Sequence, residues 1–166
     1  MKSANLPKLF YLTIFTIWMT LITVNNINDS GTNTLFIKQV VSMSLFEKGS
    51  GIGDGLLWRA IDFDKLASYL IDCVILLELL IDILMWATIY NLIKDIFNSG
   101  NLSTKTINLF NYAICAWMSL FGGFICIGMW FGYWMHHGAF QMVHITGLIV
   151  GGLGYLIFNI TDQNKK

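Results

Sequence analysis

The sequence predicts an all-α membrane protein in which four transmembrane helices form a bundle. Of its 166 residues, 55% are hydrophobic and 12% are charged, whereas a soluble domain carries about 25% charged residues. A soluble domain of this size would leave much of that apolar surface in exposed patches. The apolar residues fall into four runs, and the single proline, Pro7, precedes the first run, so that all four are free to stay helical.

A helix needs roughly 17–25 residues to cross a bilayer; the first run is near the lower limit, and the second is long enough to span with tilt. The chain length favours a single membrane domain over residues 1–166. The first run contains no small-x-small cleavage site, so we expect it to remain as a helix and not to be removed as a signal peptide. The predicted membrane helices cover residues 9–24, 66–93, 107–131 and 139–160, with an outer loop over residues 25–65.

The outer loop contains a segment with helical periodicity between Leu35 and Phe46. Its apolar residues Phe36, Val40 and Met43 recur at i, i+4 and i+7, and polar residues take the other side. This spacing predicts an amphipathic helix that lies at the membrane surface or over the mouth of the bundle. A helix that binds a partner protein would show the same pattern.

The basic residues predict that both chain termini lie in the cytoplasm. Basic residues concentrate in the cytoplasmic loops of membrane proteins, and with the amino terminus inside, the inner side carries the larger share. An even number of helices also puts both termini on the same side. The inner residues would be Lys2, Lys8, Lys94, Lys105, Lys165 and Lys166, and the outer ones Lys38, Lys48, Arg59 and Lys65.

The second predicted helix is unusual because it places Asp72, Glu78 and Asp82 inside the hydrocarbon. An Asp at the centre of a membrane helix costs roughly 2.5–3.5 kcal/mol on insertion scales and usually faces protein or water. Glu78 and Asp82 are one turn apart on the same face, and Asp72 is roughly 80° away from Asp82. We therefore expect an acidic stripe that points inward. It would form a proton or cation path, contact a basic residue of another subunit, or hold protonated acids bonded to neighbouring polar groups.

His144, about two turns into the fourth helix, is the nearest polar partner for this stripe. It lies at a depth similar to that of Asp72, so a hydrogen bond between them is geometrically possible and would orient the imidazole. His137 and His144 share one helix face about 10 Å apart and cannot bind one iron from opposite sides. We predict no cofactor, with haem b or a quinone as the lesser alternative.

A second cluster is predicted at the outer membrane interface, where aromatic side chains are common. It comprises Trp58, Arg59, His136 and His137. The adjacent histidines alone do not make a metal site, because zinc sites need three or four convergent ligands. We predict no metal.

Glycines recur every three or four residues along the last two predicted helices. Small residues at this spacing allow helices to approach closely in a membrane. The contact could be within the bundle or with a second protein. The glycines concerned are Gly128 and Gly132 in the third helix, and Gly147, Gly151 and Gly154 in the fourth.

Three segments resemble a family of bacterial predicted small integral membrane proteins, domain of unknown function 2165. They are Phe36-Ile-Lys-Gln-Val-Val-Ser-Met43, Leu57-Trp-Arg-Ala-Ile61, and Glu78 within the second helix. The sequence departs from the family pattern at Met129, where an acid is expected, and over residues 133–138. The resemblance implies four membrane helices in a bacterial inner membrane, and it implies no particular reaction.

These observations favour a structural role over an enzymatic one. The net charge of zero gives no electrostatic case for nucleic-acid binding. No nucleophile–base pair or cofactor fingerprint is present, so no enzyme is predicted. The first hypothesis is an accessory subunit of a larger membrane complex, with a respiratory complex as one candidate, that contacts lipid and other membrane subunits. The alternative is a homo-oligomeric proton or cation channel or transporter that uses the acidic stripe. A haem- or quinone-binding redox protein is a weaker alternative.

Overall fold

The computed structural model describes residues 5–63 and 65–159, and this part of the chain is helical, without strands. Two short 3-10 turns, Asp54–Arg59 and Tyr133–Met135, connect the α-helices. The α-helices are α1 (Asn5–Asn28), α2 (Ser30–Val41), α3 (Leu66–Asn98), α4 (Thr104–Trp130) and α5 (Gly138–Asn159). Lys2, Asp64, Ile160, Lys165 and Lys166, on which parts of the sequence-based predictions rest, lie outside the described residues.

Helix α1 continues beyond the predicted end of the first membrane run and includes a group of asparagines up to Asn28. Its polar end is tolerated because Asn26 donates a hydrogen bond to α3. Asp29 then caps α2 by accepting a hydrogen bond from the backbone N–H of Thr32, at 3.2 Å. A helix is therefore present in the predicted outer loop. It begins at Ser30 and ends at Val41, about five residues earlier than the segment from Leu35 to Phe46 that the spacing of apolar residues predicts.

Among the described residues, three helices are long and apolar enough to cross a membrane. They are α1, α4 and α5, with 24, 27 and 22 residues. Helix α3 is longer still, at 33 residues, and carries the three acidic residues between Asp72 and Asp82. The fold is that of a multi-pass helical membrane protein.

The four long helices form a closed ring. Helix α3 packs on α1 and on α4, α4 packs on α5, and α5 touches α1. Aromatic rings fill the centre, where Trp18 of α1 lies 5.5 Å from Trp117 of α4 and stacks on Phe121. The bundle is thus stabilised by contacts between α1 and α4 across its centre as well as by contacts between neighbouring helices.

The two ends of the bundle are defined by contacts between distant residues. Asn5 donates a hydrogen bond to the carbonyl of Gly100 at 2.9 Å, and Lys8 donates to the carbonyl of Phe158 at 3.5 Å. The start of α1, the α3–α4 turn and the end of α5 therefore share one end, which we call the turn end. Helix α2 and both 3-10 turns lie at the opposite end, the loop end, around a small core that contains Met43 and Phe131.

Three glycines of α5 pack inside the bundle and are buried. A Cβ atom on Gly147 would overlap the ring of Phe121, and one on Gly154 would lie 3.0 Å from the ring of Tyr11. At Gly151, a Cβ would lie 2.8 Å from a side-chain atom of α4. The small residues therefore admit aromatic side chains of α4 and α1 and do not face a second protein.

The two predicted glycines of the third helix serve the turn that follows it. Gly128 is buried against the ring of Tyr133. Gly132 adopts a φ of +66°, a left-handed conformation that favours glycine, and it begins the second 3-10 turn.

The Gly147→Ala substitution should destabilise the protein by about 1–3 kcal/mol, because the added methyl group forces the ring of Phe121 out of its place. The measurement is thermal unfolding of the purified protein in detergent. Gly152→Ala on the same helix is the matched control, since a Cβ there meets no atom within 4 Å. Equal melting temperatures for the two variants would contradict the described packing of α5 on α4.

Candidate intramembrane acidic site

Helix α3 turns two of its acidic residues into the bundle, toward α1. Glu78 and Asp82 follow each other by one helical turn, and only 1% and 8% of their surfaces are exposed. Asp82 is the central residue of α3. The apolar residues around them fix this rotation, because Ile81 and Met85 on the same side of α3 are buried in the core.

Glu78 is linked to the loop end by a chain of side-chain amides. Its Oε1 accepts a hydrogen bond from Nδ2 of Asn26 at 2.7 Å. The Oδ1 of Asn26 in turn accepts from Nδ2 of Asn33 in α2, at 2.9 Å. Since Asn26 and Asn33 are half-buried, the chain connects the buried carboxyl to the partly exposed surface of α2.

The second carboxyl oxygen of Glu78, Oε2, is buried and has no hydrogen-bond partner among the described residues. A buried polar atom without a partner costs roughly 1–3 kcal/mol, and a charged one costs more. A carboxyl in this state is suited to binding a proton, a small cation or a water molecule at that oxygen.

Asp82 has a different set of partners. The hydroxyl of Thr20 lies 3.0 Å from its Oδ1 and 2.9 Å from the carbonyl oxygen of Thr16. The indole N–H of Trp86 donates to the same hydroxyl at 3.1 Å. A threonine has a single hydroxyl proton, so Thr20 donates either to Thr16 or to Asp82.

The core on the turn-end side of Asp82 is closed by apolar side chains. These side chains come from α1 and α3 and are almost fully buried, and they are Leu12, Met85, Ile89 and Leu92. The amide chain of Glu78 therefore extends toward the loop end, while the α1–α3 interface beyond the contacts of Asp82 is packed with apolar side chains.

Asp72 does not join this pair. Its side chain is exposed on the outer surface of α3, among the exposed residues Tyr69 and Leu76. The prediction of one inward stripe of three acids is therefore corrected, because the difference in direction around α3 is enough to carry Asp72 out of the bundle.

The possible hydrogen bond between His144 and Asp72 is not formed. Nδ1 of His144 lies 3.4 Å from the hydroxyl of Tyr133, and the imidazole stacks on the rings of Phe124 and Tyr133. Helix α5 faces α4 and not the start of α3, which explains the difference. The imidazole of His144 is therefore packed among aromatic side chains of α4 and of the second 3-10 turn.

The predicted cluster at the outer interface is divided into two parts. Arg59 contacts Trp58 and Trp130, while the ring of His136 meets Phe46 edge-on at 4.5 Å. His137 stacks on Phe140 with 5.4 Å between the ring centroids.

The two histidines of this cluster do not converge on a common site. Burial and the neighbouring His136 lower the pKa of His137 below its usual range. Within residues 5–63 and 65–159, no group of three or more His, Cys, Asp or Glu side chains is placed to hold a metal.

Sequence reasoning missed Asn26, Asn33 and Thr20 as partners of the acids. A signal for two of them is present in α1, where Thr16, Thr20, Thr23 and Asn26 recur at intervals of three or four residues. Polar residues at this spacing share one helix face. That face is the one that meets Glu78 and Asp82.

The helices and the acidic pair define a small multi-pass membrane protein. A family model described as "Predicted small integral membrane protein (DUF2165)" matches residues 4–161. The chain belongs to this family, which confirms the resemblance seen in the sequence. No curated protein and no solved structure matches the chain.

The Asn26→Ala substitution should destabilise the protein by about 1–3 kcal/mol, because it leaves both oxygens of the buried Glu78 without a partner. Thermal unfolding in detergent measures the effect, and Asn28→Ala, at an exposed position on the same helix, is the control. Adding Glu78→Leu to Asn26→Ala should restore much of the loss, since removing both partners is nearly neutral. If the double variant is as unstable as Asn26→Ala alone, the pairing of Asn26 with Glu78 is contradicted.

Proposed function

We propose that this protein carries protons or small cations across a membrane, with Glu78 and Asp82 as the binding site in the middle of the bundle. The observation that carries the proposal is the buried Oε2 of Glu78, which lacks a hydrogen-bond partner among the described residues. Ionisable residues inside a membrane are costly, and in pumps and transporters they form proton relays and ion pathways.

Access to the site is expected from the loop end. The amide chain through Asn26 and Asn33 reaches the surface there, whereas Leu12, Met85 and Leu92 close the opposite half. A site open toward one side at a time is the arrangement of a transporter that alternates its access, not of an open channel.

The proposal includes α3 as a fourth membrane span. Its 33 residues correspond to about 50 Å of helix, more than the roughly 30 Å of a hydrocarbon core. It also packs on α1 and α4, both of which are apolar enough to span. With its two most buried acids turned inward, α3 would meet the bilayer with the side that does not pack on other helices.

In the proposed arrangement, α2 lies at the membrane surface and covers the mouth of the bundle. Ile37, Val40 and Val41 of α2 belong to the small core at the loop end, while Lys38 on the opposite side is exposed. This division of apolar and polar residues is that of an amphipathic helix.

We further propose that the turn end faces the cytoplasm and that the membrane is a bacterial inner membrane. Lys94 and Lys105 flank the α3–α4 turn, and the start of α1 and the end of α5 are held at the same end. Basic residues near the ends of membrane helices favour the cytoplasmic side.

The test is proton flux into liposomes that contain the purified protein, followed with an internal pH dye under an imposed potential. Glu78→Gln should reduce the flux to that of protein-free liposomes, because the amide cannot bind and release a proton. Asp82→Asn should reduce it as well. Glu47→Gln, an identical change at an exposed loop position, should leave the flux unchanged.

A flux of wild-type size in Glu78→Gln, or no flux of protons, sodium or potassium with the wild-type protein, would overturn the proposal. Thermal unfolding of each variant shows that a loss of flux is not a loss of fold.

The second candidate function is an accessory subunit of a larger membrane complex, or a homo-oligomer, and the exposed Asp72 favours it. A carboxylate on an otherwise apolar helix surface is costly in lipid and would be stabilised by a basic residue of another subunit. Glu78 and Asp82 cannot serve this purpose, since both are buried within the chain.

Under this second function, extraction from the native membrane in mild detergent should yield a particle with other subunits, or further copies of this chain, in fixed ratio. Asp72→Asn should weaken that association and leave the melting temperature of the isolated protein unchanged. The mass of the particle distinguishes these outcomes. A particle that holds a single copy of this chain alone would contradict both the accessory subunit and the homo-oligomer.

A further inference from the structure

Arg59 at the loop end has a planar cationic group held between two aromatic side chains. Its guanidinium lies 4.5 Å from the ring centre of Trp130 and 5.3 Å from that of Trp58. The two indoles meet edge-to-face with 5.8 Å between their centres. Such stacking fixes the direction of the guanidinium without neutralising its charge.

One hydrogen bond anchors this group to the end of α4. Nη1 of Arg59 donates to the carbonyl oxygen of Trp130, the last residue of α4, at 3.0 Å. The carbonyls at a helix carboxyl end lack partners within the helix, and the helix dipole favours a cation there. The side chain is thus positioned by both the helix end and the indoles.

Most of the hydrogen-bonding capacity of Arg59 is left unused. A guanidinium has five N–H donors, and its Nε is buried and has no partner among the described residues. The acid of the same 3-10 turn, Asp54, does not compete for it, because its carboxylate accepts the backbone N–H groups of Gly49 and Gly51, each at 3.0 Å.

The surroundings of Arg59 are those of a lipid headgroup layer. Trp58 and Trp130 are 71% and 49% exposed, and exposed tryptophans at the ends of membrane helices lie at the headgroup level. The surface continues along the last turn of α4 through the exposed side chains of Ile127 and Met129. An acyl chain can lie along this apolar surface while its phosphate meets the guanidinium.

We propose that Arg59, held between Trp58 and Trp130, binds the phosphate of an anionic phospholipid at the loop end. A planar guanidinium matches a phosphate with two parallel N–H···O bonds. The adjoining apolar surface selects a lipid over a soluble phosphate. This inference is independent of any transport at Glu78, which lies on another helix and inside the bundle.

The experiment is native mass spectrometry of the intact chain in detergent with added phosphatidylglycerol, phosphatidylcholine or inorganic phosphate. The wild-type protein should retain phosphatidylglycerol in preference to phosphatidylcholine. Arg59→Gln should lower that retention about tenfold, which corresponds to about 1.4 kcal/mol, because the charged donor of the hydrogen bonds to the phosphate is lost. Lys48→Gln, the same change of charge at an exposed position of the same loop, should retain the lipid as the wild type does.

A second variant keeps the test valid if Arg59→Gln does not fold. Trp58→Leu removes the more exposed indole and leaves the bond to Trp130 in place, and it should also lower the retention of phosphatidylglycerol. Equal retention of both lipids by the wild type would overturn the proposal, as would unchanged retention in both variants. If inorganic phosphate binds as strongly as phosphatidylglycerol, Arg59 binds free anions and the proposal of a lipid site is overturned.

Discussion

The burial of Glu78 between α1 and α3 is the constraint on which the arrangement of the helices depends. A carboxyl in the middle of an apolar helix cannot face lipid without a large cost, so it fixes the rotation of α3. Asn26 satisfies one of its oxygens at 2.7 Å, and α1 must extend far enough to deliver that amide. Helix α2 follows at once because Asn33 must in turn reach Asn26.

The opposite side of the bundle depends on close packing at small residues together with hydrogen bonds between α4 and α5. Lipid tails are as apolar as the helix surfaces, so close packing and buried hydrogen bonds drive helix association in a membrane. Trp117 shows both effects, since its ring occupies the space left by Gly151 and its N–H donates to the carbonyl of Gly147 at 2.6 Å. The missing side chains of α5 thus allow α4 to approach and to make that bond.

Helical periodicity allowed part of this structure to be predicted and left the rest undetermined. It gives the angle between residues on one helix, so Glu78 and Asp82 were correctly placed on one face, but Asp72, roughly 80° away, was wrongly included in the inward stripe. It does not say which helix lies opposite. The partner of Glu78 is 52 residues away in sequence, and the asparagines of α1 were read as loop because, considered alone, they lack partners in hydrocarbon. His144 was assigned to the wrong neighbour for the same reason.

The two halves of the α1–α3 interface impose a condition on any transport through Glu78. On the loop-end side, the acid is joined to the surface by amides, which can exchange partners without moving a helix. On the turn-end side, Leu12 of α1 and Leu92 of α3 are packed in the core, and no amide reaches the acids from there among the described residues. Release toward the turn end therefore requires α1 to separate from α3. Because Asn26 is on α1 and Glu78 on α3, such a movement would also break their hydrogen bond. Opening the bundle toward the turn end would therefore separate Glu78 from the amide chain that leads to the loop end.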